Sequence, residues 1–238
     1  MSTKAIAVLL AGTVIAASTL ARANDDLPFP SPATFTTRAV TPFAIEGLTG
    51  DDAGYLYTTG RQFDTTKRCP VWRIAANGTR VTVAFIPNNP ACNPSGITFD
   101  RIGRLYIADG AGAGTVWTVT PDAAGCGSDD SADPLCSAIA AAGAAAYASG
   151  VPGTNGVAFD RDGFLWTGDG TTGLGRVWKI APGGGVCEPS FVGCEEAFRI
   201  QPMRNAAGVG RSNQTLQPVV APNPQDIRRV VGLATFQS

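Results

Sequence analysis

Gly96-Ile-Thr-Phe-Asp-Arg-Ile-Gly-Arg-Leu-Tyr106 decides the fold, because the chain says it three times. Gly47-Leu-Thr-Gly-Asp-Asp-Ala-Gly-Tyr-Leu-Tyr57 and Gly156-Val-Ala-Phe-Asp-Arg-Asp-Gly-Phe-Leu-Trp166 are variants of the same phrase. Each is followed by a Gly-rich gap and a second shared phrase: Val71-Trp72-Arg73-Ile74, Val116-Trp117-Thr118-Val119 and Val177-Trp178-Lys179-Ile180. Self-similarity over periods this long implies stacked supersecondary units. The content of each unit reads strand, tight turn, strand, loop, strand, which is the wording of a β-propeller blade.

Within a unit, the leading Gly opens an apolar strand of alternating character (Ile97 and Phe99; Val157 and Phe159). The Asp-x-x-Gly that follows predicts a hairpin turn: the Asp side chain bonds backbone ahead of it, and Gly supplies the positive φ that closes the loop. Leu-Tyr or Leu-Trp begins the return strand. The third strand carries Val-Trp, and an indole is large enough to fill the wedge between two blades. One blade cannot bury both its faces alone, so neighbours must do so.

Gly and Pro are plentiful, with 29 and 17 residues, while β-branched and aromatic residues come in short clusters, which predicts an all-β chain. The 18 basic and 19 acidic residues leave a net charge of −1 and form no basic stripe. That speaks against nucleic acid and anionic membrane surfaces as partners. At the N-terminus, Lys4 precedes the uncharged run Ala5 to Leu20, and Ala21-Arg22-Ala23 fits an A-x-A cleavage site. We expect residues 1–23 to be a secretory signal and 24–238 to be the propeller domain, secreted or periplasmic, with no membrane attachment after cleavage. A membrane anchor is the alternative, but the run is short and rich in Ala, Thr and Ser for a span.

All six cysteines lie in the mature part, an even number in a chain read as exported. Two pairs lie close together in polar, Gly-rich insertions. The expected bridges are therefore Cys126 with Cys136, Cys187 with Cys194, and by remainder Cys69 with Cys92. The spacings do not match the paired C-x-x-C of zinc sites.

A Pro-rich lead, Leu27 to Pro32, precedes a strand-like run around Phe35 to Ile45. Between the second and third units lies an insertion from Asp122 to Thr154. Its Ala-rich stretch, Ala138 to Ala146, predicts a short helix over the propeller face, since Ala has the best helix propensity. From Ala181 to Gln225 the repeat fades, and Val230-Val231-Gly232-Leu233-Ala234 reads as the opening of a fourth unit. At about 40 to 50 residues per blade, about four blades are present. Propellers with this wording generally close with six blades, so the chain is either a C-terminally incomplete six-bladed-type β-propeller or one that closes with fewer; the first is the expectation, because an opening strand without its return leaves an unpaired edge.

The phrases Ile45-Glu46-Gly47-Leu48, Thr154-Asn155-Gly156-Val157 and Phe159 to Trp166 resemble the blade openings of the senescence marker protein, gluconolactonase and luciferin-regenerating enzyme family, and much of the wording is shared with strictosidine-synthase-like propellers. The resemblance covers roughly Phe43 to Ile180. It implies a propeller with one divalent ion at the mouth of the central channel, Ca2+ or another such cation (Mg2+, Mn2+ or Zn2+). By that resemblance Glu46 and Asn155 stand at two metal positions, and both offer the hard oxygen suited to such ions. The family's Asp has no counterpart, since the fourth opening offers Val231 before Gly232. Asn93 stands where family enzymes bind substrate, and Ala91 is nearest to their Arg. Read from residues alone, Asn-Gly is first a turn dipeptide, and Glu before a strand is commonly only solvated.

Asp109 and Asp169 each follow a second strand and precede Gly, a turn signal before it is an acid–base pair. Arg61 holds the corresponding place in the first unit and is a candidate for binding an anionic substrate. The chain contains no histidine, which removes Ser-His-Asp triads, Cys-His pairs and histidine-ligated zinc. Gly110 to Gly114 and Gly183 to Gly185 lack the Lys and helix of phosphate loops. The leading expectation is a metal-dependent hydrolase of a small-molecule lactone or ester. The alternative is a non-catalytic propeller serving as a binding or scaffold module.

Overall fold

Three sheets of the same design, antiparallel from first to outer strand of each blade, account for the three repeats. The computed structural model describes residues 36–88 and 91–199, and the described strands fall in one compact unit. Blade 1 comprises β1 (Leu48–Gly50), β2 (Leu56–Thr59), β3 (Cys69–Ile74) and β4 (Arg80–Ile86), hydrogen-bonded in that order. Blade 2 comprises β5 (Pro94–Phe99), β6 (Leu105–Asp109) and β7 (Thr115–Val119), and a short helix α1 (Ser137–Ala142) precedes its outer strand β8 (Ala145–Ser149). Blade 3 comprises β9 (Thr154–Phe159), β10 (Leu165–Asp169) and β11 (Arg176–Ile180); a two-residue strand β12 (Gly185–Val186) intervenes before its outer strand β13 (Cys194–Arg199). The inner strands β1, β5 and β9 contact one another in turn, so the blades fan from a shared hub. This is an all-β, propeller-type architecture, with three blades among the described residues. The expected signal, the Pro-rich lead and the fourth opening at Val230 to Ala234 lie outside the described residues.

The repeated phrase has a repeated cause. In the first hairpin of every blade one carboxylate oxygen of Asp51, Asp100 or Asp160 accepts the backbone N–H groups two and four residues ahead, at 2.9 to 3.0 Å. Gly54, Gly103 and Gly163 take φ of +82°, +84° and +88°, a region open to glycine at little cost. The second carboxylate oxygen accepts from the aromatic six residues on: Tyr57 at 2.9 Å, Tyr106 at 3.2 Å and the Trp166 indole at 2.8 Å. Asp-x-x-Gly-x-Leu-aromatic is thus one hydrogen-bonded device. Burial, and next the bond to Asp51, push the Tyr57 hydroxyl up to about 12.

Those aromatics join the blades. Tyr57 meets Phe99 of blade 2 edge to face at 4.9 Å, and Tyr106 meets Phe159 of blade 3 in the same way at 4.8 Å. Such pairs contribute about 0.5–1.5 kcal/mol beyond their buried area. Trp117 packs into the core between blades 1 and 2, and Trp178 into that between blades 2 and 3, as the wedge reading expects. The pairing of third with fourth strand shifts register between Val and Trp in all three blades, so the Val-Trp phrase also marks a β-bulge.

Three expectations are corrected. Residues 36–45 form no strand; Phe43 instead stacks on Trp72 at 6.1 Å. The Ala-rich stretch is helical only over Ser137–Ala142, and its remainder enters β8, because β7 needs an outer partner. The helix does not lie over the propeller face: Ile139 packs with Phe85 of β4, Cys126 and Cys136 beside the outer strand of blade 1. All three expected disulfides are present.

Two of those disulfides staple loops that cover the neighbouring blade's outer edge. The β7–β8 loop of blade 2 pairs Cys126 with Thr82 of β4 through reciprocal N–H···O bonds of 2.8 and 2.9 Å. The β11–β13 loop of blade 3 lays β12 parallel to β8, and Cys187 N–H continues that pairing onto Ser149 at 2.9 Å. Exposed outer edges invite pairing with other chains, and these clasps close them. The first clasp also delivers Asp129, which accepts from the Trp72 indole at 2.6 Å, Thr82 Oγ1 at 3.1 Å and Arg80 Nη2 at 3.0 Å. Burial acts to raise the Asp129 carboxyl, but the Arg80 and Trp72 hydrogen bonds outweigh it and hold its pKa below the usual value. With a folded pKa below the unfolded value of about 3.9, this stabilisation is complete above that pH and is lost as pH falls through the folded pKa. Asp129→Asn is therefore expected to destabilise the protein at neutral pH by about 1–3 kcal/mol. In urea titrations the variant and parent should converge toward pH 2.

Candidate functional site

The candidate residues gather at one end of the blades, where each first strand begins and each second strand ends. Glu46 precedes β1, Asn93 precedes β5, and Asn155 is the second residue of β9. Asp109 and Asp169 close β6 and β10, paired with Pro94 and Thr154 respectively. The Arg61 backbone N–H reaches Ala44 O at 2.9 Å beside the entry to β1.

Two of them touch. Asn155 Nδ2 donates to Glu46 Oε1 at 2.8 Å, joining blade 1 to blade 3 across 109 residues of sequence. The backbone beneath is unusually close. A Cβ on Gly47 would fall 2.0 Å from Ser95 O, and one on Gly96 would fall 2.4 Å from Asn155 O. Gly47 and Gly96, which open the first two phrases, are therefore what lets one inner strand lie against the next. Ser95 locks the same seam: its buried hydroxyl donates to Asn155 O at 3.0 Å. Gly170 supports the Asn155 side chain, since a Cβ there would sit 2.8 Å from Asn155 Cβ. Ile45 and Leu48, on either side of Glu46, are exposed.

Ser95 and Gly170 are the residues that sequence reading missed. The signal for Ser95 was a small polar residue directly before the repeated Gly. Gly170 was hidden because Asp-Gly reads equally as any turn.

The remaining candidates have other partners. Asp109 is buried, and Oδ1 accepts from Asn93 N at 2.8 Å and Ala111 N at 3.1 Å while Oδ2 accepts from the Trp117 indole at 3.0 Å. Burial pushes its pKa up against the opposing effect of those donors. Asp169 accepts from Thr171 N, Thr172 N and the Thr172 hydroxyl. Both carboxylates thus anchor turns of their own blades. Asn93 meets Asp109 through its backbone. The Arg61 guanidinium lies over the exposed Phe63 ring at 5.2 Å.

As a donor set for a hard cation, Glu46 and Asn155 fit two positions of an oxygen shell. Among the described residues no three His, Cys, Asp or Glu side chains come together in a way that could hold a metal ion.

No family model matches the chain. No match was found among curated proteins. Among solved structures the chain is similar to the PQQ-bound aldose sugar dehydrogenase of Streptomyces coelicolor, at 19% identity over 64% of this chain and 48% of that one, with a TM-score of 0.47. A gluconolactonase-family protein is similar at 18% identity over 59% of this chain and 45% of that one, with a TM-score of 0.40. Virginiamycin B lyase from Staphylococcus aureus is similar at 13% identity over 76% of this chain and 56% of that one, with a TM-score of 0.41. The chain spans about half the length of these structures, at 48%, 45% and 56%. At such TM-scores the fold assignment rests on the blades themselves.

Proposed function

We propose that the hub end of the blades holds a hard divalent cation, Ca2+ foremost, with Mg2+, Mn2+ and Zn2+ as alternatives, and that the protein hydrolyses a small-molecule lactone or related ester there. The observation that carries this reading is the meeting of Glu46 and Asn155 at 2.8 Å from blades 1 and 3. A bound cation supplies Lewis-acid polarisation of an ester carbonyl. The chain's own contribution is to hold and orient: Glu46 supplies a carboxylate and Asn155 a carboxamide oxygen on a backbone fixed by Ser95 and Gly170. Ile45 and Leu48 offer apolar surface to the carbon skeleton of a lactone. Asn93 and Arg61, at the same end, are the residues we assign to substrate. Asp109, enclosed by three N–H donors, is not assigned the proton-accepting role.

Three disulfides fit a secreted or periplasmic protein. The second reading, a non-catalytic binding or scaffold propeller, is favoured by one specific observation: among the described residues no three His, Cys, Asp or Glu side chains come together as a metal site. A pH-stat assay with a panel of aldonolactones and simple esters separates the two. The hydrolase reading expects turnover that needs Ca2+, stops with a chelator and falls at least about 100-fold in Glu46→Ala. Absence of turnover under every cation, with small-molecule binding retained, supports the scaffold.

A further inference from the structure

Blades 2 and 3 end their second strands with the same Asp-Gly and use it differently. In blade 2 the Asp109 carboxylate is shared between the turn and the Trp117 indole. In blade 3 both oxygens of Asp169 go to the loop at 170–175: Oδ1 accepts from Thr171 N at 3.2 Å and Thr172 N at 2.8 Å, and Oδ2 accepts from the Thr172 hydroxyl. Trp178 stands where Trp117 stands, two residues into the third strand. Its indole N–H is buried without a hydrogen-bond partner, whereas the indoles of Trp72, Trp117 and Trp166 each donate to an aspartate.

A second donor beside it is in the same condition. Arg176 is 5% exposed, its guanidinium lies over the Trp178 ring at 5.2 Å, and Nη1 is bonded to Glu188 Oε1. Its Nε–H has no hydrogen-bond partner, although Asp169 Oδ2 lies 3.6 Å away. A buried donor without an acceptor loses its hydrogen bond to water and gains none in return. Two carboxylates, Asp169 and Glu188, already face Arg176, so the surroundings do not favour a bound anion. The acceptor 3.6 Å from Arg176 Nε is Asp169 itself, at the strand position from which Asp109 serves Trp117 in blade 2.

We propose that Asp169 is a two-position latch. In the position seen, it holds the 170–175 loop. In the other, a changed side-chain rotamer gives Oδ2 to Trp178 Nε1 and Arg176 Nε, as Asp109 gives Oδ2 to Trp117, and the loop is released. Gly170, the first residue of that loop, is the one against which the Asn155 side chain rests, with a Cβ there falling 2.8 to 3.0 Å from Asn155 Cβ, Nδ2 and Cγ. Asp169 is thereby a positioning residue for Asn155. This coupling rests on the proposed cation site; the latch does not.

The test uses the indole N–H signals of the whole chain in two-dimensional NMR, with the Trp178 signal assigned by Trp178→Phe. Thr172→Val removes the hydroxyl that holds Oδ2 and keeps the side-chain shape. The expected result is a downfield move of the Trp178 signal toward that of Trp117. Thr172→Ser should leave it in place, and adding Asp169→Ala to Thr172→Val should return it. A Trp178 signal that stays put in Thr172→Val overturns the latch. In a parallel calcium titration, Thr172→Val is expected to raise the half-saturating concentration about tenfold, which is 1.4 kcal/mol. An unchanged titration with a moved indole overturns the coupling alone. A parent chain that binds no calcium sinks the cation reading and leaves the indole result to decide the latch.

Discussion

Gly96→Ala is expected to cost about 3 kcal/mol or more of folding stability, the upper end of overpacking. The added Cβ would stand 2.4 Å from Asn155 O, 2.8 Å from Gly156 Cα and 2.8 Å from Val157 N. All three are backbone atoms of β9, so no side chain can swing aside. Relief requires β5 to separate from β9, and that opens the seam where Ser95 bonds Asn155 and where Tyr106 meets Phe159. For a domain of this size the loss corresponds to a fall in Tm of roughly 6–12 °C. Gly168→Ala is the control: it lies in β10, meets nothing within 4 Å, and has no positive φ. Its Tm should stay within about 2 °C of the parent, as expected where no special contact is lost. Equal Tm values for the two variants would mean that the inner strands are not in contact.

Replacing Cys126 and Cys136 together by Ser is the second large change, with an expected loss of about 2–4 kcal/mol. The bridge closes a short loop whose purpose is to hold Cys126 against Thr82 and Asp129 against Trp72 and Arg80. Both groups of contacts rest on one segment, so loosening it uncovers the edge of β4 and leaves the Trp72 indole without its acceptor. Urea unfolding should record the lower stability, and limited proteolysis should show new cleavage between residues 122 and 136. A protein with parental stability and an uncut loop would show that the clasp holds without its staple.

The inner half of each blade was legible because its grammar is local. An Asp carboxylate bonds N–H groups two and four residues ahead and an aromatic six ahead, so the sequence has to repeat wherever the hairpin does. The outer half was not. Arg80–Ile86, Ala145–Ser149 and Cys194–Arg199 share no wording; the first two are covered by the next blade's clasp rather than shaped by a turn of their own. The run at 36–45 reads as a strand but forms none for a similar reason: Phe43 serves a ring in another strand, Trp72, and not a pairing edge. At the site, Glu46 and Asn155 were singled out through the resemblance, and their contact spans blades in a way no local pattern encodes. Asp109 and Asp169 looked alike in sequence, yet one shares its carboxylate with an indole and the other gives both oxygens to a loop.

Calorimetric titration of the metal-free protein with Ca2+, alongside Glu46→Gln and Asn155→Ala, tests the central claim most directly. The hub site predicts saturable binding of one ion per chain in the parent, and affinity weakened at least about tenfold, or 1.4 kcal/mol, in each variant. Binding that is absent in the parent, or unchanged in both variants, would contradict it.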